Sequence, residues 1–129
     1  MGIIKYYVRE ASLYSNYMCT ITIDTSKSHE VTVILEVKNK KFIKNKNHEI
    51  HSSQLVLPLI DQLLGEHSLK VSDISKIYVQ TGPGSFTGLR VGAAVAQTLG
   101  FALNVPVNDE EASKPLTLVY ENDAWDDRN

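Results

Sequence analysis

One cysteine, Cys19, stands in the 129 residues. A single thiol closes no internal disulfide, so the fold has to stand on apolar packing, and a reducing cytoplasm is the expected compartment. Neither sign of charge dominates. The 13 Lys and Arg residues face 15 Asp and Glu, a formal net charge of −2. That balance excludes a global basic field able to hold a nucleic-acid backbone. The start, MGIIKYYVRE, lacks an apolar run of signal-peptide length, and no stretch reads as the ~18 apolar residues of a membrane span. Apolar residues make up 43% and charged residues 22%, an ordinary globular balance for one domain with a modest core.

Residues 1–19 are tyrosine-rich without a clean period and read as an extension, with a short strand allowed at Ile3–Val8. TITIDTS (20–26) and EVTVILEV (30–37) carry β-branched runs, and KKFIKNK (40–46) reads as a third strand. The short connections predict an antiparallel meander. Lys38, Lys40, Lys41, Lys44 and Lys46 then read as a solvated edge that discourages strand-to-strand association. A helix is expected from about His51 to Leu64, capped by Ser52 or Ser53 and closed by Gly65. Pro58 inside it implies a kink, or a start near Pro58 after an irregular turn. A short helical turn at Val71–Ser75, a strand at 76–80 and a long helix from about Phe86 to Leu103 follow. A short strand over Asn104–Val107 and a final one over 115–120 complete the expectation, before an acidic tail. A helix between strands implies a parallel crossover. The fold class is therefore α/β, with a mixed sheet of about five strands; the core unit is 20–108, and 109–129 hold the last strand and tail.

Both helices carry more apolar surface than one small sheet requires. In the first, Leu55, Val56, Leu57, Leu59, Ile60, Leu63 and Leu64 span roughly 200° of the wheel, against the ~100° stripe that covering a sheet demands. In the second, only Arg90, Gln97 and Thr98 are polar between Leu89 and Leu103, and Gly92, Ala93, Ala94 and Ala96 let another backbone approach. Mutual burial of the helices accounts for part of the surplus. The rest points to a partner surface, drawn from Leu55, Leu59, Ile60, Leu63, Arg90, Val91, Ala94, Val95 and Thr98.

TGPGSFTGLR (81–90) follows a strand and opens a helix. Its G-x-G-x-x-x-G spacing is not the dinucleotide fingerprint, and no Lys follows Gly88 as a P-loop requires. Pro83 fixes the turn, Ser85 or Thr87 can cap the helix, and Phe86 can plug toward the core. Chemistry alone leaves Gly82, Pro83, Gly84, Ser85, Phe86, Thr87 and Gly88 open to two readings, a structural turn and a phosphate site.

ITIDTS, HSSQLVLPLIDQLL and IYVQTGPGSFTGLRVGAAVAQTLGFALNVPV together resemble the bacterial TsaB (YeaZ) family of tRNA threonylcarbamoyladenosine biosynthesis proteins, over about residues 20–107. The resemblance implies a ribonuclease H-like domain of the actin/Hsp70/sugar kinase type. It implies a non-catalytic scaffold for a TsaD-like catalytic subunit, docked through a helical bundle, with a TsaE-like ATPase joining. TsaD places threonylcarbamoyl on the adenosine beside the anticodon, so tRNA would be met indirectly. A homodimer is expected when the protein is alone. The chain departs from the family pattern in residues 1–19 and in NDEEASKPLTLVYEN after the last shared strand. It reads as a short form that keeps the partner-binding half.

The same resemblance places Asp24, Thr25 and Ser26 where kinases of the superfamily carry a metal-coordinating aspartate and phosphate turn. Here they read as a vestigial turn; a nucleotide-binding, phosphotransferase-like or ATP-hydrolysing domain is the alternative. The catalytic relative holds a metal with two histidines one helical turn apart. His51 matches the first, but position 55 is Leu, so no metal is expected. His48 and His51 flank Glu49 in a turn, and His29 and His67 read as surface residues. No Ser–His–Asp, Cys–His or H-E-x-x-H arrangement supports peptidase chemistry, and no cofactor is expected beyond a nucleotide at a partner interface.

Overall fold

The computed structural model describes residue 14 and residues 17–48 and 52–121. The strand expected at Ile3–Val8, the residues Glu49 and His51, and the tail after residue 121 lie outside the described residues.

Three strands form the expected antiparallel meander: β1 (Cys19–Asp24), β2 (Glu30–Val37) and β3 (Lys40–Asn47). Lys38 and Asn39 join β2 to β3 with φ of 51° and 62°, and Val37 pairs with Lys40. Two left-handed residues make a turn whose twist matches the strands it joins. Period-two alternation sends Ile21, Ile23, Val31, Val33, Leu35 and Val37 into the core, while Thr22, Thr32 and Ile34 stay half-buried on the opposite face. After the crossover, β4 (Lys76–Val79) pairs parallel to β1, with Thr20 against Lys76 and Ile23 against Val79. The sheet order is β3-β2-β1-β4, which leaves the lysine-rich β3 at an edge.

The sheet thus has four strands. The expected strand at Asn104–Val107 shrinks to one parallel bridge between Ile77 and Val107. Pro106 has no N–H to give, and Asn108 turns the chain away at φ 51°. The Asn108 side chain then stands in for the missing peptide. Its Oδ1 accepts from the Val79 N–H at 2.8 Å and its Nδ2 donates to the Val79 carbonyl at 3.1 Å. Residues 115–120 form no sheet strand either; they meet the glycine-rich loop instead.

The first helix begins later than expected. A 3-10 turn at Ser52–Gln54 precedes α1 (Val56–Gly65). Pro58 falls in the first turn of α1, where its missing N–H has no intrahelical partner to lose. Leu55 is the N-cap and has no side-chain cap hydrogen bond, so Ser53 does not have the expected role. The reversal after α1 is made at Ser68, φ 57°, rather than at Gly65, and the Leu69 N–H donates to the Leu64 carbonyl. A second 3-10 turn, Val71–Asp73, leads into β4.

α2 (Phe86–Leu103) is capped by Ser85, whose Oγ accepts from the Gly88 N–H at 3.0 Å. It ends at Asn104, φ 56°, with the Val105 N–H donating to the Gly100 carbonyl, a left-handed closure of the Schellman type. With 18 residues and mean hydropathy 1.2, α2 has the length and composition to cross a membrane, which the sequence reading did not register. One flank of it is packed into the core: Leu89, Gly92, Ala93, Ala96 and Gly100 are all buried.

Candidate functional site

The two helices divide the expected partner surface unevenly. On α1, Leu59, Ile60 and Leu63 are buried at 6%, 0% and 2% exposure, so these three face the core and not a partner. Leu55 is half-buried. The outward side of α1 carries Leu57, Pro58, Asp61 and Gln62. Most of the surplus read from the wheel is buried inside the chain, in the core that Leu69 and Ile74 on the connection after α1 also join, while Leu57 stays 47% exposed.

α2 keeps its open face. Arg90, Ala94 and Thr98 are exposed, and Val91 and Val95 are half-buried beside them. Phe101 adds an exposed ring at 74%. Phe86, expected to plug toward the core, is instead 45% exposed and lies against Tyr120, ring centroids 4.6 Å apart, with the Arg90 guanidinium also over the Phe86 ring at 5.2 Å.

The glycine-rich loop packs on the turn that ends β1. Thr25 is fully buried, and its Oγ1–H donates to the Gly88 carbonyl at 2.6 Å. The Ser85 N–H donates to the Ser26 carbonyl at 2.8 Å. A Cβ on Gly88 or Gly92 would overlap Thr25, so the spacing of these two glycines is what brings α2 down onto the strand. The three glycine amides have internal acceptors: Gly84 has the Val119 carbonyl, Gly88 has Ser85 Oγ, and Gly82 has Gln80 Oε1 at 3.3 Å. These three serve the loop's own turn. Pro83 and Thr87 are on the exposed side. Asp24 closes its own turn, with Oδ1 accepting from the Ser26 N–H at 2.9 Å and the Ser26 hydroxyl at 2.6 Å.

Among the described residues no three His, Cys, Asp or Glu side chains gather as a metal site. His29 is exposed. His67 departs from the surface reading: it is half-buried, stacked 3.8 Å from the Phe42 ring, with Nδ1 2.9 Å from the Leu63 carbonyl. Sequence reasoning missed the contacts of Asn108 and Tyr120, since neither a polar loop nor the end of an expected strand says in sequence what its side chains will touch.

Comparison with known proteins agrees with this geometry. The family model "TsaD: tRNA N6-adenosine threonylcarbamoyltransferase" matches residues 35–109. The chain is 36% identical over 98 residues to tRNA threonylcarbamoyladenosine biosynthesis protein TsaB of Bacillus subtilis, covering 70% of this chain and 40% of that protein. It is 34% identical over 87 residues to TsaB of Haemophilus influenzae, covering 67% and 36%. The solved structure of YeaZ from Pseudomonas aeruginosa superimposes with TM-score 0.66 at 31% identity, over 70% of this chain and 42% of that one. The chain therefore spans about 40% of the length of the TsaB relatives it matches. The four-stranded sheet, the loop pinned to the end of β1 and these matches together place the chain in the TsaD family, beside its TsaB (YeaZ) proteins, with their actin-like, ribonuclease H-like fold.

Proposed function

We propose that the protein serves tRNA threonylcarbamoyladenosine biosynthesis as a non-catalytic scaffold, docking a TsaD-like catalytic subunit through the outward face of α2. The open face of Arg90, Val91, Ala94, Val95 and Thr98 carries this reading. It is apolar and small at its centre, so a partner helix can approach closely, and Arg90 supplies a charged rim. α1 contributes at its margin, through Leu55. A TsaE-like ATPase is a further partner, tRNA is met through the complex, and the cytoplasm is the compartment. The role needs no metal or cofactor of the chain's own.

Co-purification with the TsaD-like protein of the same organism tests it. A stable complex is expected, lost in Ala94→Arg, which puts an uncompensated charge at the centre of the contact. A complex that survives Ala94→Arg would sink the α2 reading. ATP turnover by the isolated protein, abolished in Asp24→Ala, would favour the nucleotide-hydrolysing alternative instead.

A further inference from the structure

After Val107 the chain turns through Asn108 and Asp109, φ 51° and 65°, and runs back along α2 from its C-terminal end to its start. Ala112 packs over Gly100, where a Cβ would stand 2.9 Å from the alanine Cβ. The Gln97 Nε2 donates to the Lys114 carbonyl at 2.8 Å. At the far end the backbone pairs with the glycine-rich loop. The Val119 N–H donates to the Thr81 carbonyl at 2.8 Å, the Gly84 N–H to the Val119 carbonyl at 3.1 Å, and the Glu121 N–H to the Gly84 carbonyl at 2.9 Å. The Val119 carbonyl fills the side-chain space of Gly82, φ 120°. Leu116, Leu118 and Tyr120 face inward and are half-buried, while Pro115, Thr117, Val119 and Glu121 are exposed. That is the alternation of a strand laid on a surface.

Two features set this segment at the margin of the core. Ala112 and Leu116 pack against the core, but none of residues 112–121 is fully buried, and the segment lies beyond the family match at 35–109, whereas the loop it pairs with lies inside that match. The fold thus presents Thr81 and Gly84 as an edge with main-chain groups to satisfy, and an added chain satisfies them. This is strand addition, in which main-chain hydrogen bonds hold the peptide and alternate side chains choose it.

We propose that one flank of α2 and the glycine-rich loop form a groove for an extended peptide, and that residues 112–121 are its displaceable occupant. The groove takes a small residue at Gly100 and, eight positions on, an aromatic ring against Phe86. It lies beside the open face of α2, and it does not depend on the docking reading.

The test uses the full chain without any partner. Val119→Pro removes the N–H given to Thr81. Amide exchange at Gly84, read by NMR, is expected to speed up by at least about tenfold while Val33 and Ile77 stay protected. A synthetic peptide with the sequence of residues 112–121 should restore protection at Gly84 in the variant and leave the wild type unchanged. Tyr120→Ala, which keeps the hydrogen bonds and removes the ring contact, should give a smaller acceleration. Three results overturn the proposal: unchanged exchange at Gly84 in Val119→Pro, acceleration that the peptide fails to reverse, or loss of protection at Val33 in both variants, which would make the segment part of the core.

Discussion

Thr25 links two parts of the chain that are 63 residues apart, through its hydroxyl on the Gly88 carbonyl. Replacing it by valine keeps the volume and removes the cross-link, while the Gly88 carbonyl keeps its place in the α2 ladder. Thr25→Val should cost about 0.5–1.5 kcal/mol of stability, read by denaturant unfolding. Cys19 gives a second residue-level expectation. Burial, helped by the negative charge of Asp73, raises its thiol from 9.0 to about 11. The folded chain then holds a proton that the unfolded chain releases, so stability falls as pH rises from about 9 to 11. Cys19→Ala should lose that share of the decline when unfolding is followed across the same pH range. The Ser85 cap was legible in the sequence, because N-caps are local. The Thr25 contact was not, since a tertiary hydrogen bond leaves no mark on either neighbourhood.

The apolar surplus expected of both helices meets different surroundings in each. On α2 the structure leaves Arg90, Ala94 and Thr98 exposed. For α1 the helical wheel set an apolar arc of seven residues against a single sheet, and overlooked the connection that follows the helix. Leu69 and Ile74, on that connection, belong to the same core as the buried side of α1. A wheel describes one element's demand for burial but not the supply from loops, and that supply is set by tertiary structure. The two helices should therefore respond differently to charge. Leu59→Arg, in the core, should cost several kcal/mol and unfold the chain. Ala94→Arg, on the exposed side, should change stability by no more than about 0.5 kcal/mol. Thermal melts of the two variants decide it, and equal losses would mean that α2 is covered as fully as α1.

Across the whole molecule, both helices pack on one face of the sheet, so the protein offers two outward surfaces of different character. The register of the open sheet face aligns Tyr78, Thr22, Ile34 and Ile43 in a row across all four strands. The exposed apolar side chains of that face include Ile43, 62% exposed, on the strand that also carries Lys40, Lys41, Lys44 and Lys46. Several like charges along an edge resist a second copy. The outward face of α2 holds one charge, Arg90, with alanine, valine and an exposed Phe101 around it, and has no such guard. Self-association of the isolated protein should therefore run through α2. In light scattering at rising concentration, the wild type should gain mass, Ala94→Arg should stay monomeric, and Ile43→Lys should behave as the wild type. A TsaD-like partner that uses the same face should dissolve the homodimer as it binds. If Ile43→Lys abolishes association and Ala94→Arg does not, copies meet through the sheet, and α2 loses its standing as the surface on which this molecule assembles.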